Sequence, residues 1–165
     1  MKFPSLVCNV IDSLNLVLSQ KSINGIVGLN GAGKTTLLNS IYGLKSIDIG
    51  IVKYNNRKIN KKDISFLVTE NYFYSNITGR EYLSLFTNLQ FDIEKWNKLF
   101  SLPLDTIIDD YSTGMKKKLA FCAAIIHTPE ILILDEPFSG LDPFVANQMI
   151  LFLKKYQRDD RVILI

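Results

Sequence analysis

The run Gly28-Leu29-Asn30-Gly31-Ala32-Gly33-Lys34-Thr35 constrains this chain more than any other stretch of it. The pattern Gly-x-x-x-x-Gly-Lys-Thr carries meaning only when a strand delivers it and a helix follows. Both are legible here: Ile23 to Val27 reads as a strand, and Thr35 to Tyr42 as a helix stopped near Gly43. Small residues at Gly31, Ala32 and Gly33 let backbone amides close around an anion. A helix beginning near Thr35 offers its positive dipole end to the same anion. Lys34 supplies a point charge for phosphate oxygens, and the Thr35 hydroxyl suits Mg²⁺, a hard cation that prefers oxygen. With the neighbouring Thr36, the candidate phosphate-contacting set is Asn30, Gly31, Ala32, Gly33, Lys34, Thr35 and Thr36. A purely structural glycine turn is the alternative.

A second element, Ile131-Leu132-Ile133-Leu134-Asp135-Glu136-Pro137, is an apolar run suited to a buried parallel strand. It delivers two carboxylates at its C-terminal edge, where α/β sheets bind ligands. Asp135 is the natural partner of Mg²⁺. Glu136 leaves the strand in another direction and is placed to polarise an attacking water. An acidic strand end is commonplace, so the pair takes its weight from the glycine loop upstream.

The remaining pattern surrounds these two elements. Leu14, Leu16 and Leu18 alternate as in a strand, and Ile51 to Tyr54 and Ile64 to Val68 read as two more, separated by a polar turn segment from Asn55 to Asp63. From Tyr72 to Ala124 the spacing is helical. Tyr82, Leu83, Phe86 and Leu89 form one stripe over Gly79 to Leu89, and Leu119, Cys122, Ile125 and Ile126 another after Gly114. A helix is expected over Pro143 to Tyr156 and a strand over Arg161 to Ile165. The expected fold is a single α/β domain over residues 1–165 with a predominantly parallel sheet, an antiparallel β portion at the N-terminus, and a helical insert at about residues 72–124.

Composition narrows the classes further. With 165 residues, 47% apolar and 21% charged, the chain matches one globular domain. Its longest apolar run, Leu119 to Ile126, is far below the roughly 18 residues of a membrane span, so another chain must cross any membrane involved. Met1 to Asn9 lacks the features of a secretory signal, which makes the cytoplasm the default location. A net charge of +3 is too small to imply nucleic-acid binding. The run Lys116 to Lys118 reads as a solvated helix face, with contact to anionic lipid or nucleotide as the alternative. Cys8 and Cys122 read as reduced, buried thiols.

Taken with Tyr111-Ser112-Thr113-Gly114-Met115-Lys116 and Ser139-Gly140-Leu141-Asp142, these motifs resemble the ATP-binding-cassette ATPase family over nearly the whole chain. The resemblance implies a P-loop NTPase core that binds ATP and Mg²⁺, with Thr35 and Asp135 as metal ligands and Glu136 as catalytic base. Ser112, Thr113, Gly114 and Met115 stand where the family's signature loop binds the γ-phosphate of ATP held by a second nucleotide-binding subunit. Thr113 and Met115, where glycine and glutamine are more usual, suit the exporter subgroup. Ser139, Gly140, Leu141 and Asp142 resemble the loop through which two subunits sense each other, and Asp142 before Pro143 also reads as a plain helix N-cap. Phe66 to Leu83 resembles the segment joining the core to the insert where membrane-spanning permease chains dock. The implied protein is a cytoplasmic ATPase subunit at the inner face of a membrane. A soluble non-transport ATPase of the same family and a catalytically weak regulatory module are the alternatives.

Three departures accompany the resemblance. Thr69 replaces the family's glutamine after the Ile64 to Val68 strand. The family's switch histidine would follow the Arg161 to Ile165 strand, where the sequence stops, so the expectation is a chain cut short that binds Mg-ATP but hydrolyses it slowly. His127, the sole histidine, reads as an ordinary helix-end residue. Phe3 is the nearest candidate for stacking on adenine, with core packing as its alternative.

Overall fold

A computed structural model describes residues 2–6, 14–18, 22–48, 50–87, 92–157 and 161–165. In chain order the elements are β1 (Lys2–Leu6), β2 (Leu14–Val17), β3 (Ile23–Asn24), α1 (Lys34–Tyr42), β4 (Lys53–Tyr54), β5 (Arg57–Lys58), β6 (Ile64–Leu67), α2 (Gly79–Ser84), α3 (Ile93–Phe100), α4 (Thr113–Ile126), β7 (Ile131–Leu134), α5 (Pro143–Tyr156) and β8 (Val162–Leu164). They build two sheets. One is antiparallel in the order β2-β1-β4-β5, and the other is parallel in the order β3-β8-β7-β6.

The parallel sheet explains why β7 lacks polar alternation. Its four residues are fully buried. Ile131 and Ile133 pack with Leu37, Leu38 and Ile41 of α1, whereas Leu132 and Leu134 pack with Phe121 and Ile125 of α4 and Met149 and Leu153 of α5. Successive strand residues thus meet helices on opposite faces, and truncating one of them to alanine would cost about 2–5 kcal/mol. The strand ends on Asp135 with both faces held.

Helix ends follow their local chemistry. Asp142 caps α5 by accepting from the Phe144 N–H at 2.8 Å, with Pro143 in the first turn. Gly43 closes α1 at φ 88°, in the left-handed region open to glycine. Thr78 and Glu81 form a reciprocal capping box on α2. Gly79 begins that helix against Tyr111, where an added Cβ would lie 2.3 Å from the phenol oxygen, so no other residue fits without displacing the ring.

Several expected boundaries move. The strand expected over Ile23 to Val27 is only Ile23–Asn24, although pairing with the β8 segment continues through the Ile26 N–H to the Ile165 carbonyl at 2.7 Å. Residues 27–29 leave the sheet for the loop, and Val27 is 98% exposed. The segment read as a polar turn contains a two-residue hairpin, with Asn55 and Asn56 at φ 48° and 61° between β4 and β5, because asparagine tolerates the left-handed region. The first insert helix ends at Ser84, and Leu89 lies outside the described residues. β1 has no counterpart in the sequence reading. Cys8 and the Phe3 side chain also fall outside what is described, whereas Cys122 is free and buried, with its thiol pushed up by desolvation. His127 is exposed at the C-terminal cap of α4, as expected.

The three lysines read as a solvated face are tethered instead. Lys116 Nζ donates to the Asp109 carbonyl at 3.4 Å, Lys117 Nζ to Ser139 at 2.7 Å and Lys118 Nζ to Phe100 at 3.3 Å. Lys117 is only 9% exposed. A lysine stem buries its methylenes while its ammonium finds a carbonyl, so a charge run on a helix need not face water.

Candidate functional site

α1 is the α-helix among those described that starts without a side-chain cap. Its N-cap is Gly33 at φ 87°, with no acidic residue in its first turn. Asp92, Ser112 and Asp142 accept from first-turn amides of α3, α4 and α5. The first amides of α1 therefore have no side-chain acceptor, and a phosphate is the anion such a terminus recruits. Gly31, at φ 82°, and Gly33 both occupy the left-handed region that lets the loop curl, and the Ala32 N–H closes a turn onto the Leu29 carbonyl at 3.1 Å.

Beside this terminus lies a cleft of about 360 Å³ lined by Asn30, Gly31, Gly33, Lys34, Thr35, Thr36 and Glu136. Six of these seven belong to the sequence-predicted loop set, and Ala32 is the member of that set outside the lining. Lys34 Nζ donates to the Gly28 carbonyl at 2.8 Å and to Leu29 at 3.0 Å, spanning the loop it belongs to. Those two neutral carbonyls hold the ammonium more weakly than a polyphosphate would.

The two acidic residues diverge where β7 ends. Asp135 is 4% exposed, and its N–H donates to the Leu67 carbonyl at 2.9 Å, continuing the β6–β7 ladder. Its Oδ2 accepts from the Thr69 hydroxyl at 2.9 Å. Glu136 is exposed at φ 48°, an uncommon left-handed conformation for a non-glycine residue, and it lines the cleft. One carboxylate is thus buried and hydrogen-bonded, and the other lines the cleft. Among the described residues no group of three or more His, Cys, Asp or Glu could hold a metal ion. A Mg²⁺ here would depend on phosphate oxygens and water beside Thr35 and Asp135, a hard-oxygen set that suits it.

The remaining predicted residues lie elsewhere. Ser112, Thr113, Gly114 and Met115 start α4, where the Ser112 hydroxyl accepts from the Met115 N–H at 3.2 Å. Ser139, Gly140, Leu141 and Asp142 form the turn between Glu136 and α5, with the Ser139 N–H donating to the Glu136 carbonyl at 3.2 Å. The two groups abut: a Cβ on Gly114 would lie 3.8 Å from Leu141 Cδ2, and Lys117 reaches Ser139. Neither group lines the cleft. Burial lowers the pKa of Lys117, and the negative charge of Glu136 opposes that shift. The Lys117 tether and the Thr69–Asp135 bond have no signature in the sequence, because each joins residues distant along the chain.

A family model described as ABC transporter matches residues 11–139. The bacitracin transport ATP-binding protein BcrA of Enterococcus faecalis is 36% identical over 92% of this chain and 53% of its own length. The protein of the same name from Bacillus licheniformis is 35% identical over 84% of this chain and 50% of its own length. The chain thus spans about half the length of the curated relatives it matches. A solved structure of the ATP-binding subunit of an ABC transporter superposes with a TM-score of 0.83 at 23% identity, covering 99% of this chain and 77% of that one, a likeness of fold. By the family model, which spans most of it, the chain belongs to the ATP-binding-cassette (ABC) transporter family.

Proposed function

We propose that this chain binds Mg-ATP in the cleft of the phosphate loop and hydrolyses it as the cytoplasmic ATPase subunit of an ABC transporter of the exporter type. The observation that carries this reading is the convergence of an uncapped helix terminus, Lys34, two hydroxyls and Glu136 on one cleft. Loop amides and Lys34 hold the polyphosphate, and Thr35 and Asp135 hold Mg²⁺, which when bound offsets charge on the phosphates. Glu136 accepts a proton from the attacking water. Ser112, Thr113, Gly114 and Met115 serve the ATP of a second nucleotide-binding subunit, which the separation of α4 from the cleft supports. Residues 139–142 couple the two subunits. The domain is read as 1–165 with a helical insert at about 72–124, through which membrane-spanning permease chains dock. Among the described residues, no helix is long and apolar enough to cross a membrane.

A catalytically weak nucleotide-binding module is the second reading, favoured by one observation: Thr69 spends its hydroxyl on Asp135. Equilibrium titration with Mg-ATP tests the site that both readings share. Truncating a charged partner costs about 2–5 kcal/mol, so Lys34→Ala should weaken binding by about thirtyfold or more. Equal affinity in the variant and the parent chain would remove the phosphate-loop assignment.

A further inference from the structure

The parallel register pairs Leu67 of β6 with Leu134 of β7, and the Asp135 N–H extends that ladder onto the Leu67 carbonyl. The two strands therefore leave the sheet side by side. Two residues beyond Leu67, the Thr69 hydroxyl donates to Asp135 Oδ2 at 2.9 Å, while Asp135 is nearly inaccessible at 4% exposure. We propose that Thr69 is a positioning residue that locks the Asp135 carboxylate so that its other oxygen serves the metal of the bound nucleotide.

This rests on the reading of the cleft as a Mg-ATP site, and it assigns Thr69 a role that runs through Asp135. A hydroxyl on Cβ turns about a single bond, and its one proton is directed to Asp135. It acts on the carboxylate and leaves the metal to Asp135 and Thr35. A hydrogen bond to a charged acceptor is stronger than one between neutral groups, which favours one rotamer of a short side chain. The partner of a metal ligand commonly governs metal affinity by about 10–100-fold.

The experiment measures affinity of the 165-residue chain for a non-hydrolysable ATP analogue, once with saturating Mg²⁺ and once with EDTA. The ratio of the two affinities reports metal coupling without turnover. Thr69→Val should leave metal-free affinity unchanged and cut the Mg²⁺ advantage by about tenfold, and Thr69→Ser, which restores the hydroxyl, should recover it. Three results would overturn the proposal. A Thr69→Val ratio equal to the parent's shows that the hydroxyl does not position Asp135. Equal loss of metal-free and metal-bound affinity shows a merely structural role. A parent chain with no Mg²⁺-dependent binding removes the functional reading as well, which separates that failure from the first two.

Discussion

Two helix N-termini in this molecule are candidates for phosphate, and they are finished differently. α1 begins at Gly33 with no side chain closing its first turn, in a cleft that also receives Lys34, Thr35, Thr36 and Glu136 from the same chain. α4 begins at Ser112, whose hydroxyl is already engaged with the Met115 N–H, and its first residues line no part of that cleft. The first terminus is open to an anion as it stands. The second is satisfied by itself, and an anion brought to it from another subunit would add to a cap that already holds the helix. The difference teaches that an uncapped helix start with a cleft beside it is ready for an anion, whereas under the proposed function α4 would contribute only to a nucleotide held by a second subunit. Lys117 and Leu141 join the two regions, so movement of α4 would be felt in the turn that follows Glu136.

The largest expected effect concerns the cleft at the open terminus. Glu136→Gln keeps the shape and a hydrogen-bonding side chain but cannot take a proton, so turnover at saturating Mg-ATP should fall by about 10²–10⁴ while binding survives. Phosphate release and equilibrium binding measured on the same protein separate the two. If the variant turned over at the parent rate, Glu136 would have no catalytic role and the cleft would be a binding site only.

The smallest expected effect concerns the self-capped terminus. Ser112→Ala removes a helix cap worth about 1 kcal/mol, which lowers the melting temperature by about 2–4 °C for a chain of this size. Mg-ATP affinity of the dilute chain should not change. A parallel fall in that affinity would join the two termini in one site and break the comparison.

How much of this is legible in the sequence follows from how local each cause is. α5 matches its expected bounds at both ends, because Asp142-Pro143 is a cap signal written in adjacent residues. α1 and β7 are equally legible, through Gly43 and an apolar run of strand length. The phosphate loop and Glu136 meet in the cleft as their motifs imply. Less local features escape. The Asn55-Asn56 hairpin hides in a polar stretch, since strands of two residues show no alternation. Lys116 to Lys118 look solvated because their acceptors, the carbonyls of Asp109, Ser139 and Phe100, are named only by the tertiary fold. Thr69 is legible as a departure from the family pattern. Its bond to a residue 66 positions away is not.

The most direct test of the account is an NMR titration of isotopically labelled, dilute protein with Mg-ATP, following the backbone amides of both helix N-termini. The account predicts saturable shifts from Gly31 to Thr36 at every protein concentration, with Thr113 to Met115 moving only as concentration is raised enough to pair two chains. Shifts at Thr113 to Met115 that track the phosphate loop in the dilute monomer would contradict it.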